Sequence, residues 1–217
     1  MEGLTGIYAM KVPLSQLDKL RTDAKFILIL RLGRYLNQLS FCLQANRDYW
    51  DDNSPIGIRQ QHNSLFFLYG VIYEAVKFRD ELGKEFGTYK SFKNGLALLM
   101  KNKDFQSLRE IELNYLRNKV VYHVDSMPYE ETLKTLNLRK LDFFTTKGNE
   151  FIDVHFQLSD DIALNFMIGD HGTLKDEEAK FKEILEKIVR LSKEFVKHSH
   201  NLITEYIERK RWKVETR

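Results

Sequence analysis

Phe181, Ile184, Ile188, Leu191, Phe195, His198 and Leu202 follow one another at alternating steps of three and four residues. That spacing lays a single apolar seam along one side of an α-helix and leaves the other sides polar. It predicts a long C-terminal helix over about 174–211, capped by Thr173 or Asp176. The pairs Glu178 with Lys182, Glu183 with Lys187 and Glu186 with Arg190 stand one turn apart in favourable order, each adding a few tenths of a kcal/mol (about 0.2–0.5). A helix with one greasy seam has to bury it against other helices.

Such partners are present upstream. Leu17, Leu20, Phe26, Ile27, Leu30, Leu36, Leu39 and Leu43 recur at helical spacing, predicting a helix from about Leu14 to Asn46 with Ser15 as cap. The segment Tyr49 to Gly57 holds turn-forming residues and reads as a loop. A second helix is expected from about Ile58 to Phe86. Its centre, Leu65 to Tyr73, is apolar nearly all round, which marks a helix buried on several faces. A short helix over Lys90 to Lys101, a helix over about 105–124 and a polar helix from about Tyr129 to Leu141 complete this part. Between about 150 and 168 the period changes. Phe151, Val154 and Phe156, then Ile162, Leu164, Phe166 and Ile168, approach strand alternation around Leu158-Ser159-Asp160-Asp161, so a small β-hairpin insertion is expected there. The predicted class is all-α: a single domain over 1–217, built as a bundle of four to five helices.

Charge narrows the function classes. Lys and Arg number 34 against 31 Asp and Glu, a net charge of +3. That near balance predicts no strong non-specific nucleic-acid binding by the chain as a whole, so any such contact must be local. The lone Cys42 excludes an internal disulfide and reads as a small buried side chain in a reducing, cytoplasmic setting. No signal peptide and no apolar run long enough for a transmembrane helix is evident, so no membrane association is expected. His198 and His200 point about 200° apart on a helix and cannot share one ion, while His155 and His171 lack a second ligand at metal spacing. No metal or other cofactor is implied. The basic end, Arg209-Lys210-Arg211-Trp212-Lys213, could touch a phosphate backbone and stack a base. The reading favoured for it is a solvated, partly frayed helix tail.

The densest chemistry lies in Leu116-Arg117-Asn118-Lys119-Val120-Val121-Tyr122-His123-Val124-Asp125. An arginine offers a permanent cation with a rigid donor fork that fits phosphate oxygens. A histidine can exchange a proton near neutral pH. On a wheel of about 100° per residue, Leu113, Leu116, Val120 and Val124 make a stripe. Arg117 and His123 flank it about 120° apart. They converge only if the helix loosens near Tyr122, ahead of Pro128, or if a second copy supplies one of them.

This segment resembles the Arg-x(4–6)-His signature of the HEPN superfamily (higher eukaryotes and prokaryotes nucleotide-binding). The resemblance implies a helical, homodimeric, metal-independent endoribonuclease of a prokaryotic defence or toxin–antitoxin system. In that reading Arg117 clamps the scissile phosphate and His123 moves the proton, with Asn118 assisting. Lys119 and Tyr122 are candidate substrate contacts. Asp125 and Glu74 are candidate orienting carboxylates. The structural readings stand beside these: Arg117 paired with Glu110 or Glu112, Tyr122 packed in the core, Lys119 solvated and Glu74 in a salt bridge. The resemblance also admits a non-catalytic module that binds a nucleotide, an antitoxin or a nucleotidyltransferase partner, and a purely structural helical dimer remains the third reading.

Overall fold

The computed structural model describes residues 8–11, 16, 19–107, 130, 133–134, 145–146, 155–156, 162–163 and 174–216. Among these the chain is predominantly helical. In order come strand β1 (Tyr8–Lys11), helices α1 (Ala24–Asp48), α2 (Pro55–Lys77) and α3 (Arg79–Phe86), a π-helical turn (Phe92–Leu96), short helices α4 (Ala97–Leu99) and α5 (Lys103–Ser107), strands β2 (Thr145–Thr146) and β3 (His155–Phe156), the long helix α6 (Leu174–Arg209), and strand β4 (Lys213–Thr216).

Helix α1 begins ten residues later than the apolar spacing suggested. Asp23 is its cap: the carboxylate accepts the Phe26 N–H at 3.1 Å. Lys19 and Leu20 are helical as well, but the chain turns at Arg21 and Thr22 before α1 starts. The face presented to the core also differs. Leu28, Ile29, Leu32, Leu39 and Cys42 are buried, whereas Ile27 and Leu30, both expected inside, are 44% and 57% exposed. Phe26-Ile27-Leu28-Ile29-Leu30 is apolar on every side, so periodicity alone could not choose its inner face.

Helix α2 starts at Pro55, with Ser54 accepting the Gly57 N–H at 3.1 Å. A proline whose missing N–H costs nothing at the first helical position explains the early start. Leu68 and Ile72 are fully buried and Leu65, Tyr69, Val71, Tyr73 and Val76 nearly so, as a central helix requires. The expected single helix to Phe86 is divided at the buried Phe78, whose backbone (φ −66°, ψ −12°) tightens without leaving the helical region.

Helix α6 starts at Leu174 as expected and ends at Arg209, two residues short of the expected end, and its apolar face lies in the core. Leu185, Ile188, Leu191, Phe195, Leu202 and Tyr206 are all buried. It packs on α1, on α2 and on the π-helical turn, and α1 packs on α2. One buried cluster runs through all of these elements. No helix among the described residues is long and apolar enough to cross a membrane.

Two expectations are corrected. The hairpin expected over about 150–168 is not what the described residues form. His155–Phe156 pairs antiparallel with Thr145–Thr146, upstream of it. Ile162 and Ala163, in the expected second strand, are helical and buried. The apparent alternation there set Ile and Leu against Ala and Met, which are themselves apolar helix formers, so the period of two carried little information. The basic end is not a frayed tail either. β4 pairs antiparallel with β1, from Tyr8↔Thr216 to Lys11↔Lys213. Trp212 is 5% exposed, its ring meets Phe26 and Tyr206 edge-on, and its Nε1 donates to Gln16 Oε1 at 2.8 Å. Buried in this way, it has no face to offer a base. Elsewhere, Glu130, Leu133 and Lys134 are helical within the helix expected over 129–141.

Candidate functional site

Arg117, Asn118, Lys119, Tyr122, His123 and Asp125 lie outside the described residues, as does the expected motif helix beyond Ser107. Of the candidate site residues, Glu74 is described. It sits on α2 beside the buried Tyr73 and Ala75, with its side chain 29% exposed and Lys77 Nζ 3.9 Å from its Oε1. Lys77 also lies 4.3 Å from the Tyr73 ring centroid. A neighbouring lysine is what the salt-bridge reading of Glu74 required. Phe105, which opens the expected motif helix, is in α5 and nearly fully buried.

Among the described residues, polar chemistry collects where the start of α1, the turn after α3 and the end of α6 meet. Burial pushes the Glu205 carboxyl up, but the Ser91 hydroxyl and N–H, the Arg209 guanidinium and the Lys90 N–H all donate to it and bring it down to about 2. Lys90 and Ser91 are helical and lead into the π-helical turn, so Glu205 caps the start of that stretch and holds the negative charge that a helix start favours. A carboxylate held this low stays ionised at neutral pH and is no proton shuttle.

Around it stands Tyr89, buried, with Arg209 Cζ 4.1 Å and Lys25 Nζ 5.9 Å from its ring centroid. Two cations far apart in the sequence thus meet the same aromatic ring. Next to them Lys210 Nζ lies 2.7 Å from Asp23 Oδ2. Burial works against the Asp23 carboxylate. Hydrogen bonds from Lys210 and the Phe26 N–H, with the lysine charge, outweigh it and hold Asp23 below its ordinary value. The basic run 209–213 was one sign of this region, but nothing in the pattern tied it to Lys25, Tyr89 or Lys90. Lys90, at the start of the short helix expected from it, was the other available signal, whereas Lys25 fell inside a helix expected from about Leu14.

Other candidates resolve into packing. His198 is half-buried on the α6 seam, its Nε2 3.3 Å from Glu194 Oε2, while His200 is exposed. Gly95, in the π-helical turn, passes so close to that ring that an added Cβ would lie 2.6 Å from His198 Nδ1. Cys42 is buried and its thiol is pushed up to about 11 by that burial, which leaves it unreactive at neutral pH. Among the described residues, no three His, Cys, Asp or Glu side chains converge to hold a metal. Compared with protein-family models, with curated proteins and with solved structures, the chain finds no match in any of the three.

Proposed function

We propose that the chain is a metal-independent RNA endonuclease of the HEPN type, acting as a homodimer in a defence or toxin–antitoxin setting. The observation that carries this reading is the set Arg117-Asn118 with His123 five residues beyond the asparagine. The dominantly helical architecture, with a buried central α2 and a long α6, is compatible with it. In the proposed chemistry His123 takes the proton of the RNA 2′-hydroxyl, which attacks its own phosphate. Arg117 stabilises the charge gathering on the phosphoryl oxygens, the P–O5′ bond breaks, the 5′-oxygen leaves as a hydroxyl with a proton from protonated His123 or from water, and a 2′,3′-cyclic phosphate is left. DNA lacks that internal nucleophile and stays intact.

The competing reading is a non-catalytic nucleotide- or partner-binding module, favoured by the near balance of 34 basic and 31 acidic side chains. Incubation with labelled RNA in EDTA separates the two. The nuclease reading expects cleavage that survives the chelator and disappears in both Arg117→Ala and His123→Ala. A folded parent protein that cuts no RNA ends that reading and leaves the binding module.

A further inference from the structure

Three cations sit where the local backbone would choose something else. Lys25 occupies the first turn of α1, a place that favours carboxylates, and α1 has no acidic residue in that turn. Lys90 opens the next such helix, its own N–H held by Glu205. Arg211 ends α6 with φ 55°, the left-handed conformation in which glycine is preferred. The bonds that close that helix end, Arg211 N–H to Glu208 O at 2.9 Å and Trp212 N–H to Ile207 O at 3.4 Å, hold Arg211 in place. Neither lysine charge serves the stability of its own helix start, and Arg211, whose charge suits a helix C-terminus, stands at a backbone conformation that glycine would fill more easily.

They lie at the same end of the bundle. Lys25 and Arg209 converge on Tyr89, Lys210 bridges to Asp23, and Glu205 ties α6 to Lys90 and Ser91. Residues 19–26, 86–91 and 205–212 together hold seven cations and three carboxylates, an excess above the +3 of the whole chain. Two of the three carboxylates, Asp23 and Glu205, are committed to Lys210 and to Arg209. Lys90, Arg209 and Arg211 are exposed, and Lys25 is half-exposed. The aromatic side chains of this end are turned inward: Tyr89, Tyr206 and Trp212 are all buried. Among residues 19–26, 86–91 and 205–212 no large apolar side chain is exposed, and Ile27, 44% exposed, lies just beyond them; so cation-rich a surface suits a phosphate backbone better than insertion into a bilayer.

We propose that this end of the bundle is a sequence-independent binding surface for the phosphodiester backbone of a nucleic acid, with Lys25, Lys90 and Arg211 as its principal contacts. The proposal rests on the described residues and is independent of whether Arg117 and His123 cleave RNA.

The test uses the full chain and a fluorescein-labelled single-stranded DNA oligomer of mixed sequence, in EDTA, with anisotropy followed across a salt series. DNA has no 2′-hydroxyl, so cleavage cannot interfere and a failed nuclease assay does not bear on the result. The parent protein is expected to bind with a steep salt dependence. The triple variant Lys25→Glu, Lys90→Glu, Arg211→Glu should bind at least about tenfold more weakly. Its slope of log affinity against log salt should be flatter by about 2, from about 0.7 per lost contact. Arg47→Glu, Lys101→Glu, Lys103→Glu serves as control, since Arg47 lies about 33 Å along α1 from Lys25. It should bind as the parent does.

No salt-dependent binding by the parent overturns the proposal. So does equal loss in both triple variants, unchanged affinity in the first, or capture by phosphatidylserine vesicles without capture of the oligomer. If the first variant does not fold, Lys25→Gln, Lys90→Gln, Arg211→Gly replaces it, and the same weakening is expected.

Discussion

Lys210 Nζ stands 2.7 Å from Asp23 Oδ2, joining the cap of α1 to the turn that follows α6 across 187 positions of sequence. The same carboxylate caps α1 through the Phe26 N–H. Asp23→Ala removes both roles and is expected to cost about 1–2 kcal/mol, the cap supplying most of it. Asp23→Asn keeps a capping oxygen and should cost less. Urea midpoints of the two variants check the order. Equal losses would mean that the cap does not matter.

Glu205 sets the acid limb of stability. Its carboxyl lies near 2 when folded against an ordinary value of 4.5, so its contribution is complete above about 4.5 and is lost as pH falls through about 2. Asp23, also lowered, acts in the same direction. Lys210 is raised by its hydrogen bond to Asp23, so its contribution is whole below 10.5 and fades as pH climbs past that value. Urea unfolding between pH 5 and 2 should show stability falling in the parent, and a shallower fall in Glu205→Gln from a lower starting point. A parallel fall in the two proteins would remove Glu205 from this role.

Gly95→Ala should destabilise the fold by about 1–3 kcal/mol, because the new methyl meets the His198 ring at its root as well as at Nδ1. His198→Ala should recover most of that loss when combined with it. A double-mutant cycle by thermal or chemical unfolding measures the coupling, and additive losses would show that the contact is not the cause.

Ser192 and Ser199 stand seven residues apart on α6, both fully buried, and neither hydroxyl has a hydrogen-bond partner among the described residues. A buried hydroxyl left unpaired costs about 1–3 kcal/mol. Ser192→Ala and Ser199→Ala should each raise stability by about 0.5–1.5 kcal/mol, a shift visible in the urea midpoint. A loss in either variant would mean that the oxygen fills space the core needs.

Long seams were the legible part of this chain. The three-and-four spacing of Ile188, Leu191, Phe195 and Leu202 gave α6 and its buried face, because a helix with one apolar stripe has one way to turn it inward. Apolar saturation at Phe26 to Leu30 hid which side of α1 faces in. The cap at Asp23 was missed because Leu17 and Leu20 continued the pattern across it. The pairing of β1 with β4 left no local signal, since it joins residues more than two hundred positions apart. The motif around Arg117 was legible as chemistry, and its residues lie outside those the structure describes. The Tyr89 cluster was the reverse case. Its members are scattered through the sequence, and only folding brings Lys25, Lys90 and Arg209 together.

Tyr8 faces Thr216 at one end of the terminal strand pair, and Lys11 faces Lys213 at the other. Tension applied between positions 8 and 216 therefore loads this ladder as a zipper, one rung at a time, and never in shear. It would part at low force from the outer rung inward. Only after the last rung had gone would the pull reach Trp212 and the helix behind it.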